Sequence, residues 1–246
     1  MKNFFAILGG MGTLTTTNFL VELNKKHNPK KDQDFFNYIL FNHAEIPDRT
    51  AYILDHSTPS PLPALIEDIE KINLLQPDFI VMPCNTAHYF IDDLKEATSI
   101  PIIDMIKETV KAIPFPAHSK KKIGLAVTQG TLESQLYQLE LLSKGYEVIL
   151  PDLIQQNKIN QLIYTFIKEQ GIINLLLYEE ILEDFKLMGS DVTLLGCTEL
   201  SLANSHDPLK RFPVIDAEKI LIDKTFQLAQ ELKVRDNKAL INSDIV

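Results

Sequence analysis

The chain has 246 residues, enough for one large or two small domains with a full hydrophobic core. Apolar residues make up 45% of it and charged residues 23%, as in ordinary globular proteins, and a net charge of −9 disfavours a nucleic-acid partner. No apolar run is long enough to cross a membrane, and the run at residues 4–8 is too short for a signal peptide. We therefore expect a cytoplasmic protein whose two cysteines are free thiols.

Strands and helices alternate along the first half of the chain. The continuous apolar run at residues 4–8 predicts a buried strand of a parallel sheet, followed by the glycine-rich turn at residues 9–12. Beyond that turn the pattern predicts, in order, a helix at 18–26, a strand at 38–41, a polar loop at 42–63, a helix at 64–75 and a strand at 79–82.

The same alternation restarts in the second half. Apolar runs predict strands at 123–127, 147–150 and 192–195, and the segments between them predict helices at 132–143, 157–169 and 172–188. A last helix is expected at 218–232. It has no third half to join, so we expect it to return to the first domain.

Three landmarks recur in the same order in both halves, which indicates an internal duplication. Gly12-Thr13 corresponds to Gly130-Thr131, Cys84 to Cys197, and residues 100–104 to residues 212–216. The sequence therefore predicts an α/β protein of two pseudo-symmetric, doubly wound (flavodoxin-like) domains with parallel sheets. The predicted domains comprise residues 1–105 with 217–246, and residues 106–216. Because ligands bind beyond the carboxyl ends of such strands, the site is expected in the cleft between the domains.

The two cysteines each follow a predicted buried strand, so the fold can direct both thiols into one cleft. A redox disulfide is disfavoured because close spacing such as C-x-x-C is absent. A nucleophile would need one cysteine with a base rather than two equivalent thiols. Paired acid and base catalysis, in which one thiol removes a proton and the other returns one on the opposite face, fits the mirrored placement and would racemise a carbon.

The motifs around these cysteines resemble the aspartate/glutamate racemase superfamily, and its aspartate racemase branch in particular. The resemblance rests on Gly9-Gly10-Met11-Gly12, Pro83-Cys84-Asn85-Thr86-Ala87-His88 and Gly196-Cys197-Thr198-Glu199-Leu200, and it extends to about Asp216. It implies a pyridoxal-phosphate-independent racemase with two similar domains, usually a homodimer, with Cys84 and Cys197 as the catalytic pair. Glutamate racemases differ, since they typically begin with an Asp-Ser-Gly-type turn and carry His where this chain has Glu199.

Several further residues are candidates for binding an acidic amino acid. The fork of Arg49, in a Pro-Asp-Arg-Thr run like that of the family, suits the side-chain carboxylate of the substrate. The resemblance implies a second cation at Lys168, and Glu199 could bind the ammonium group or orient Cys197. Strand-end amides and hydroxyls can hold the α-carboxylate, and the glycine-rich turn would let the backbone approach the ligand; these candidates are Asn85, Thr86, Thr128, Thr131 and Thr198, with Gly10, Met11 and Gly12.

Two positions carry alternative interpretations. His88, four residues after Cys84, is either a group that tunes the thiol or a packing histidine. Thr13 stands where the family usually has proline, and a threonine can cap the helix there instead.

The sequence thus predicts a racemase that interconverts L- and D-aspartate with a thiol and a thiolate, without cofactor or metal. The expected partner is a small acidic amino acid, with no nucleic acid and no membrane. A broad-specificity acidic amino-acid racemase, another isomerase on the same scaffold such as a maleate-isomerase-like enzyme, and a non-catalytic amino-acid-binding homologue remain open alternatives.

Overall fold

The computed structural model describes residues 1–116 and 119–243. In the first half, strands β1, β2 and β3 and helices α1 to α5 alternate, with two short 3₁₀ helices at Asp32–Asp34 and Thr86–Phe90. The bounds of these elements are β1 (Phe4–Gly9), α1 (Thr13–His27), β2 (Asn37–Asn42), α2 (Arg49–Leu54), α3 (Leu62–Leu75), β3 (Ile80–Val81), α4 (Ile91–Glu96) and α5 (Met105–Lys111).

The second half repeats the alternation and ends in a long helix. Its elements are β4 (Lys122–Val127), α6 (Gln129–Glu133), α7 (Leu136–Ser143), β5 (Glu147–Ile149), α8 (Leu153–Asn160), a π-helix (Gln161–Glu169), α9 (Leu175–Leu187), β6 (Val192–Gly196), α10 (Thr198–His206), β7 (Val214–Asp216) and α11 (Ala217–Ser243). No helix in the described ranges combines the length and apolar composition needed to cross a bilayer.

Two parallel sheets organise these elements, one in each half. The first has the order β2-β1-β3 and the second the order β5-β4-β6-β7. In the first sheet, Ile102 forms an isolated parallel bridge to Ile80, at the place where β7 pairs with β6 in the second sheet. The two sheets therefore share one strand order, and the predicted α/β class with two parallel sheets is confirmed.

Burial explains why the central strands carry unbroken apolar runs. All six residues of β1 are buried, and most of β4 and all of β6 are too, because each strand has neighbours on both sides and helices on both faces. Phe5 and Ile7 of β1 belong to the same apolar cluster as Leu125 and Val127 of β4, so one continuous core joins the two halves. This shared core positions the carboxyl ends of both sheets relative to each other.

Several helices differ from the sequence prediction. Helix α1 begins at Thr13, because Thr15 and Thr16 return their hydroxyls to the carbonyl of Gly12 and support the first turn. Helix α2 lies within the predicted loop at 42–63, where the Asp48 side chain caps it by accepting the Ala51 amide. The predicted helix at 132–143 is two helices, since Gln135 adopts a left-handed conformation with φ of 56°.

Helix α11 is longer than predicted, extending from Ala217 to Ser243. It packs against α1 and β1 of the first half, and also against α5 and α10. The predicted division of the chain at residues 105 and 216 stays a prediction.

Candidate active site

The two cysteines occupy equivalent places at the carboxyl ends of their sheets. Cys84 follows β3 by three residues, and Cys197 directly follows β6 and is the N-terminal capping residue of α10. Both side chains are free thiols, and each residue is only 6% exposed. Both line a single cavity between the halves, as the duplication predicted.

Cys197 lies in a hydrogen-bonded cluster with a carboxylate and an ammonium group. Its Sγ donates to Glu199 Oε2 at 2.9 Å, and Thr198 Oγ1 donates to the same oxygen at 3.3 Å. The other oxygen of Glu199 lies 3.5 Å from Lys168 Nζ. Burial raises the pKa of the Cys197 thiol well above its ordinary value, and the charge of Glu199 raises it further, while Lys168 acts in the opposite direction.

Arg49 is the first residue of α2 and is only 8% exposed. Its Nη1 donates to the carbonyls of Ile46 and Pro47, and its Nη2 donates to the carbonyl of Met11 at 3.1 Å. Burial alone would lower the pKa of Arg49, but the neighbouring Cys84 and Asp48 side chains raise it above its ordinary value. The guanidinium is therefore a fixed cation beside Cys84.

Lys168 is the second cation of the site and extends from the π-helix. Burial opposes its charge, yet Glu199 and Cys197 raise the pKa of its ammonium group above the ordinary value. The ammonium also lies 5.3 Å from the ring centroid of Tyr164, one turn earlier on the same helix. Lys168 is thus held in the cavity lining by groups of its own half.

Polar side chains tie the two halves together next to the cysteines. The hydroxyl of Thr86 lies 2.9 Å from that of Thr128 and 3.0 Å from that of Thr131, so three buried hydroxyls form a triangle across the interface. Asn85 Oδ1 accepts a hydrogen bond from the buried Tyr137 at 2.5 Å. Asn85 Nδ2 is buried with no hydrogen-bond partner among the described residues, and it can therefore donate to a ligand.

Three residues that the sequence interpretation missed also line the cavity: Asp48, Thr50 and Tyr164. Tyr164 donates from its hydroxyl to Thr50 Oγ1 at 2.9 Å, which links the π-helix of the second half to α2 of the first. Asp48 and Thr50 flank Arg49 in the Pro-Asp-Arg-Thr run, which was a usable signal. Tyr164 precedes Lys168 by one helical turn and so lies on the same face of the helix. That the Tyr164 side chain faces the cavity could therefore have been inferred only once Lys168 was known to line it.

Most predicted site residues meet in this cavity, and the roles assigned to them stay predictions. The cavity lining is Met11, Asp48, Arg49, Thr50, Cys84, Asn85, Thr86, Thr128, Tyr164, Lys168, Cys197, Thr198 and Glu199. Gly10, Gly12 and Thr131 do not line it. Gly10 has φ of 94°, and a Cβ there would lie 2.5 Å from the backbone of His43, so this glycine serves a tight turn.

His88 and Thr13 have structural roles. His88 Nδ1 donates to the carbonyl of Cys84 at 2.8 Å, and its Nε2 accepts the amide of Met105 at 3.0 Å. Both ring nitrogens are thereby used, and burial lowers the pKa of His88, which keeps the imidazole neutral. Thr13 is not the helix cap, because Gly12 holds that position and Thr13 is the first helical residue.

The cavity itself is small. Its volume is about 10 Å³, close to the space that one water molecule needs. An amino acid is several times larger. The cavity must therefore widen before a substrate of that size reaches both cysteines.

Two parallel sheets that meet at a cleft, with one thiol from each half, are consistent with the two-domain racemase fold. Residues 8–225 match the family model described as Asp/Glu/Hydantoin racemase, so the chain belongs to that family. The predicted enzyme class, a pyridoxal-phosphate-independent amino-acid racemase, is confirmed by this membership.

Individual relatives agree with this assignment. The chain is 30% identical over 228 residues to the broad-specificity amino-acid racemase RacX of Bacillus subtilis, covering 89% of this chain and 95% of that protein. The structure of Picrophilus torridus aspartate racemase superposes with a TM-score of 0.79 at 27% identity, covering 92% of this chain and 94% of that one. A glutamate racemase of Persephonella marina is 32% identical, but over only 58% of this chain and 54% of its own length.

Proposed function

We propose that this racemase interconverts L- and D-aspartate by a two-base mechanism in which Cys84 and Cys197 face opposite sides of the substrate α-carbon. The observation that carries the proposal is the arrival of one thiol from each sheet at the same cavity, at equivalent strand ends. No other pair of equivalent groups in the cavity lining could give and take a proton on two faces.

The proton balance of such a reaction is simple. A thiolate on one face removes the α-proton and becomes a thiol, while the thiol on the other face donates its proton to the same carbon and becomes a thiolate. One thiolate and one thiol are needed at the start, and the pair is exchanged after each turnover. The α-proton is a weak acid, so hydrogen-bond donors at the α-carboxylate must stabilise the charge that develops during transfer.

Two buried donors in the cavity support binding of a substrate with two carboxylates. Arg49 uses three of its five N–H groups on backbone carbonyls, and its Nε has no partner among the described residues. That Nε and the remaining Nη2 hydrogen can bind the side-chain carboxylate as a fork. Asn85 Nδ2, which is unpartnered among the described residues, can bind the α-carboxylate.

Substrate entry requires the cavity to open. Polar contacts across the cleft that an opening motion would affect include the threonine triangle, the Tyr137–Asn85 hydrogen bond and the Tyr164–Thr50 hydrogen bond. Closure over the substrate would restore these contacts and exclude water, which strengthens the electrostatic interactions at the reacting carbon.

A broad-specificity acidic amino-acid racemase is the second candidate. It is favoured by the 30% identity to RacX of Bacillus subtilis, whose name describes broad specificity. Arg49 suits the side-chain carboxylate of glutamate as well as that of aspartate, so this residue does not separate the two.

The test is a racemisation assay of the purified protein without added pyridoxal phosphate or metal. Single enantiomers of aspartate, glutamate, alanine and lysine are incubated, and the products are separated by chiral chromatography. The proposal predicts that aspartate is racemised with the highest kcat/KM. A comparable rate for glutamate would select the broad-specificity acidic candidate, and comparable rates for alanine or lysine would refute both. Tight aspartate binding without any turnover would indicate a non-catalytic homologue.

A further inference from the structure

The two thiols meet different charges, although their backbone positions are equivalent. Cys197 donates a hydrogen bond to the carboxylate of Glu199, whereas Cys84 lies beside the guanidinium of Arg49. A thiolate cannot donate a hydrogen bond, and two anions 2.9 Å apart would repel each other. The contact therefore requires one proton between Cys197 and Glu199, and the Lys168 ammonium beside the other oxygen of Glu199 favours the arrangement in which the carboxylate is the anion and Cys197 carries the proton.

Glu199 is held in place for this role. Its Oε2 accepts from both Cys197 and Thr198, and its Oε1 faces Lys168 Nζ at 3.5 Å. Glu199 itself is only 2% exposed, so the surrounding groups rather than water fix its charge and orientation. The carboxylate is thus in direct hydrogen-bond contact with the Cys197 thiol.

We propose that Glu199, anchored by Lys168, is a positioning residue that keeps Cys197 in the thiol form, which leaves Cys84, beside Arg49, to act as the base. This inference rests on the proposed two-cysteine function and deepens it. Cys84 becomes the base and Cys197 the acid at the start of a turnover. The resting enzyme is thus prepared to deprotonate one enantiomer, namely the one whose α-hydrogen faces Cys84.

Resetting the pair after turnover follows from the same asymmetry. One turnover leaves Cys84 as a thiol and Cys197 as a thiolate next to the carboxylate of Glu199. Two adjacent anions in a buried site are unfavourable. Cys84 therefore returns its proton to solvent and Cys197 takes one up, which restores the resting state without any further reactant.

Other charged and titratable groups around Cys197 are few. Lys168 and Tyr164 face it from the π-helix, Tyr137 from α7 and Arg49 from α2 across the cavity. Glu218 of α11 is a second buried carboxyl group that is electrostatically coupled to Glu199, but it makes no hydrogen bond to Cys197. Burial raises the pKa of Glu218 well above its ordinary value, and Asp216 and Glu199 raise it further. Glu218 thus offers a matched control for Glu199.

The experiment titrates one cysteine at a time by the ultraviolet absorbance of its thiolate. The Cys84→Ser variant retains only Cys197, and the Cys84→Ser/Cys197→Ser double variant supplies the tyrosine background to subtract. In Cys84→Ser we expect the Cys197 thiolate to appear only above the pH at which an ordinary cysteine ionises, about 8.5. Adding Glu199→Gln should increase the ionisation constant about tenfold or more, which moves the midpoint down by about one pH unit.

In two further variants, the direction of the shift in the Cys197 midpoint separates an electrostatic role of Glu199 from a merely structural one. Lys168→Met removes a cation and should move the Cys197 midpoint upward, opposite to Glu199→Gln. Glu218→Gln replaces a buried carboxyl group that makes no hydrogen bond to Cys197 by an amide of the same shape, and it should leave the midpoint unchanged.

The inference is overturned if Cys197 already ionises near neutral pH in the Cys84→Ser variant, or if neither Glu199→Gln nor Lys168→Met moves the midpoint. The titration needs no turnover, so it is independent of the proposed activity. A protein that shows these shifts without racemising aspartate would refute the proposed function alone. A protein that racemises aspartate without these shifts would refute the role of Glu199 alone.

Discussion

The two halves of the molecule agree in backbone and differ in charge. Cys84 follows β3 and lies beside Arg49, while Cys197 follows β6 and donates a hydrogen bond to Glu199. The strand order is shared, so the duplicated fold delivers two thiols to one place. The side chains around them then distinguish a thiolate position from a thiol position, which a two-base reaction requires at its start.

The same pattern of shared backbone and different side chains occurs where residues 100–104 correspond to residues 212–216. Asp104 and Asp216 each accept the amide three residues further on and cap the helix that follows. Asp216 also accepts hydrogen bonds from Ser201 and Asn204 of α10, whereas Asp104 is paired with Lys95. In the second half, Asp216 therefore also anchors α10, the helix that Cys197 caps.

The largest effect is expected from removing either thiol. Cys84→Ala and Cys197→Ala should each lower the rate of aspartate racemisation by about 10² to 10⁴-fold, because each loses one proton-transfer group. Exchange of the α-proton with deuterium oxide should survive in the variant that retains the base for a given enantiomer. Chiral chromatography and mass spectrometry measure both quantities. If either variant racemised aspartate at the normal rate, the two-cysteine mechanism would be refuted.

Arg49→Lys tests the cation on the Cys84 side. Lysine keeps the charge but cannot supply the fork or the three backbone hydrogen bonds of Arg49, so kcat/KM for aspartate should fall about 100-fold. Steady-state kinetics measure the loss, and Arg211→Lys, on the exposed surface, should leave kcat/KM unchanged. An Arg49→Lys variant with normal kcat/KM would remove Arg49 from substrate binding.

The pH dependence of kcat/KM should be bell-shaped, since the reaction needs one thiolate and one thiol together. The raised pKa of Cys197 means that its thiol is lost only as pH rises above about 8.5, the value for an ordinary cysteine, and activity then falls about tenfold per pH unit. Rates measured in a series of buffers of equal ionic strength give the profile. Activity that already declines below pH 8 would show that Cys197 is not the acid.

Tyr164→Phe tests the contact that joins the halves at the cavity rim. Loss of its 2.9 Å hydrogen bond to Thr50 should favour the open form by about 1 kcal/mol and lower kcat/KM about fivefold. Thr50→Val provides the partner for a double-mutant cycle. The double variant should be little worse than either single variant. Independent, multiplicative losses would show that the hydrogen bond does not contribute to closure.

Glu218→Gln should have the smallest effect on activity and a measurable effect on stability. The folded-state pKa of Glu218 is raised, so the wild-type chain loses stability as pH rises above about 4.3, the ordinary glutamate value, toward the folded-state pKa. Glutamine has no such loss, and the variant should melt at least about 2 °C higher at neutral pH, with no gain near pH 4.

The control for this prediction is Glu133→Gln, at an exposed position of α6, which should show no pH-dependent gain. An equal difference in Tm at both pH values for Glu218→Gln would indicate a packing effect rather than titration of Glu218.

The sequence was sufficient for the alternation of strands and helices, the duplication and the cysteine pair. Buried central strands leave strong apolar runs, as in residues 4–8, and repeated motifs can be aligned without a structure. Helix α2 was missed because it is only six residues long and depends on a cap by Asp48 rather than on apolar periodicity.

Contacts across the cleft were beyond the sequence for a different reason. Tyr164 and Thr50 are 114 residues apart, and only the folded arrangement of the two halves brings their hydroxyls together. Gly130 also lies at a contact between the halves. A Cβ there would lie 2.8 Å from Thr50 Cα, so the absence of a side chain allows the halves to approach each other. Such cross-half contacts leave no local pattern.

The most direct test of the proposed two-base reaction is the isotopic composition of both enantiomers when the wild-type enzyme acts on L-aspartate in deuterium oxide. One thiol removes the proton and the other, exchanged with solvent, supplies a deuteron on the opposite face. Early in the reaction, D-aspartate should therefore carry one deuterium at the α-carbon, while the remaining L-aspartate carries none. If deuterium entered L-aspartate as fast as D-aspartate forms, a single base would serve both faces. That result would contradict the two-base reaction.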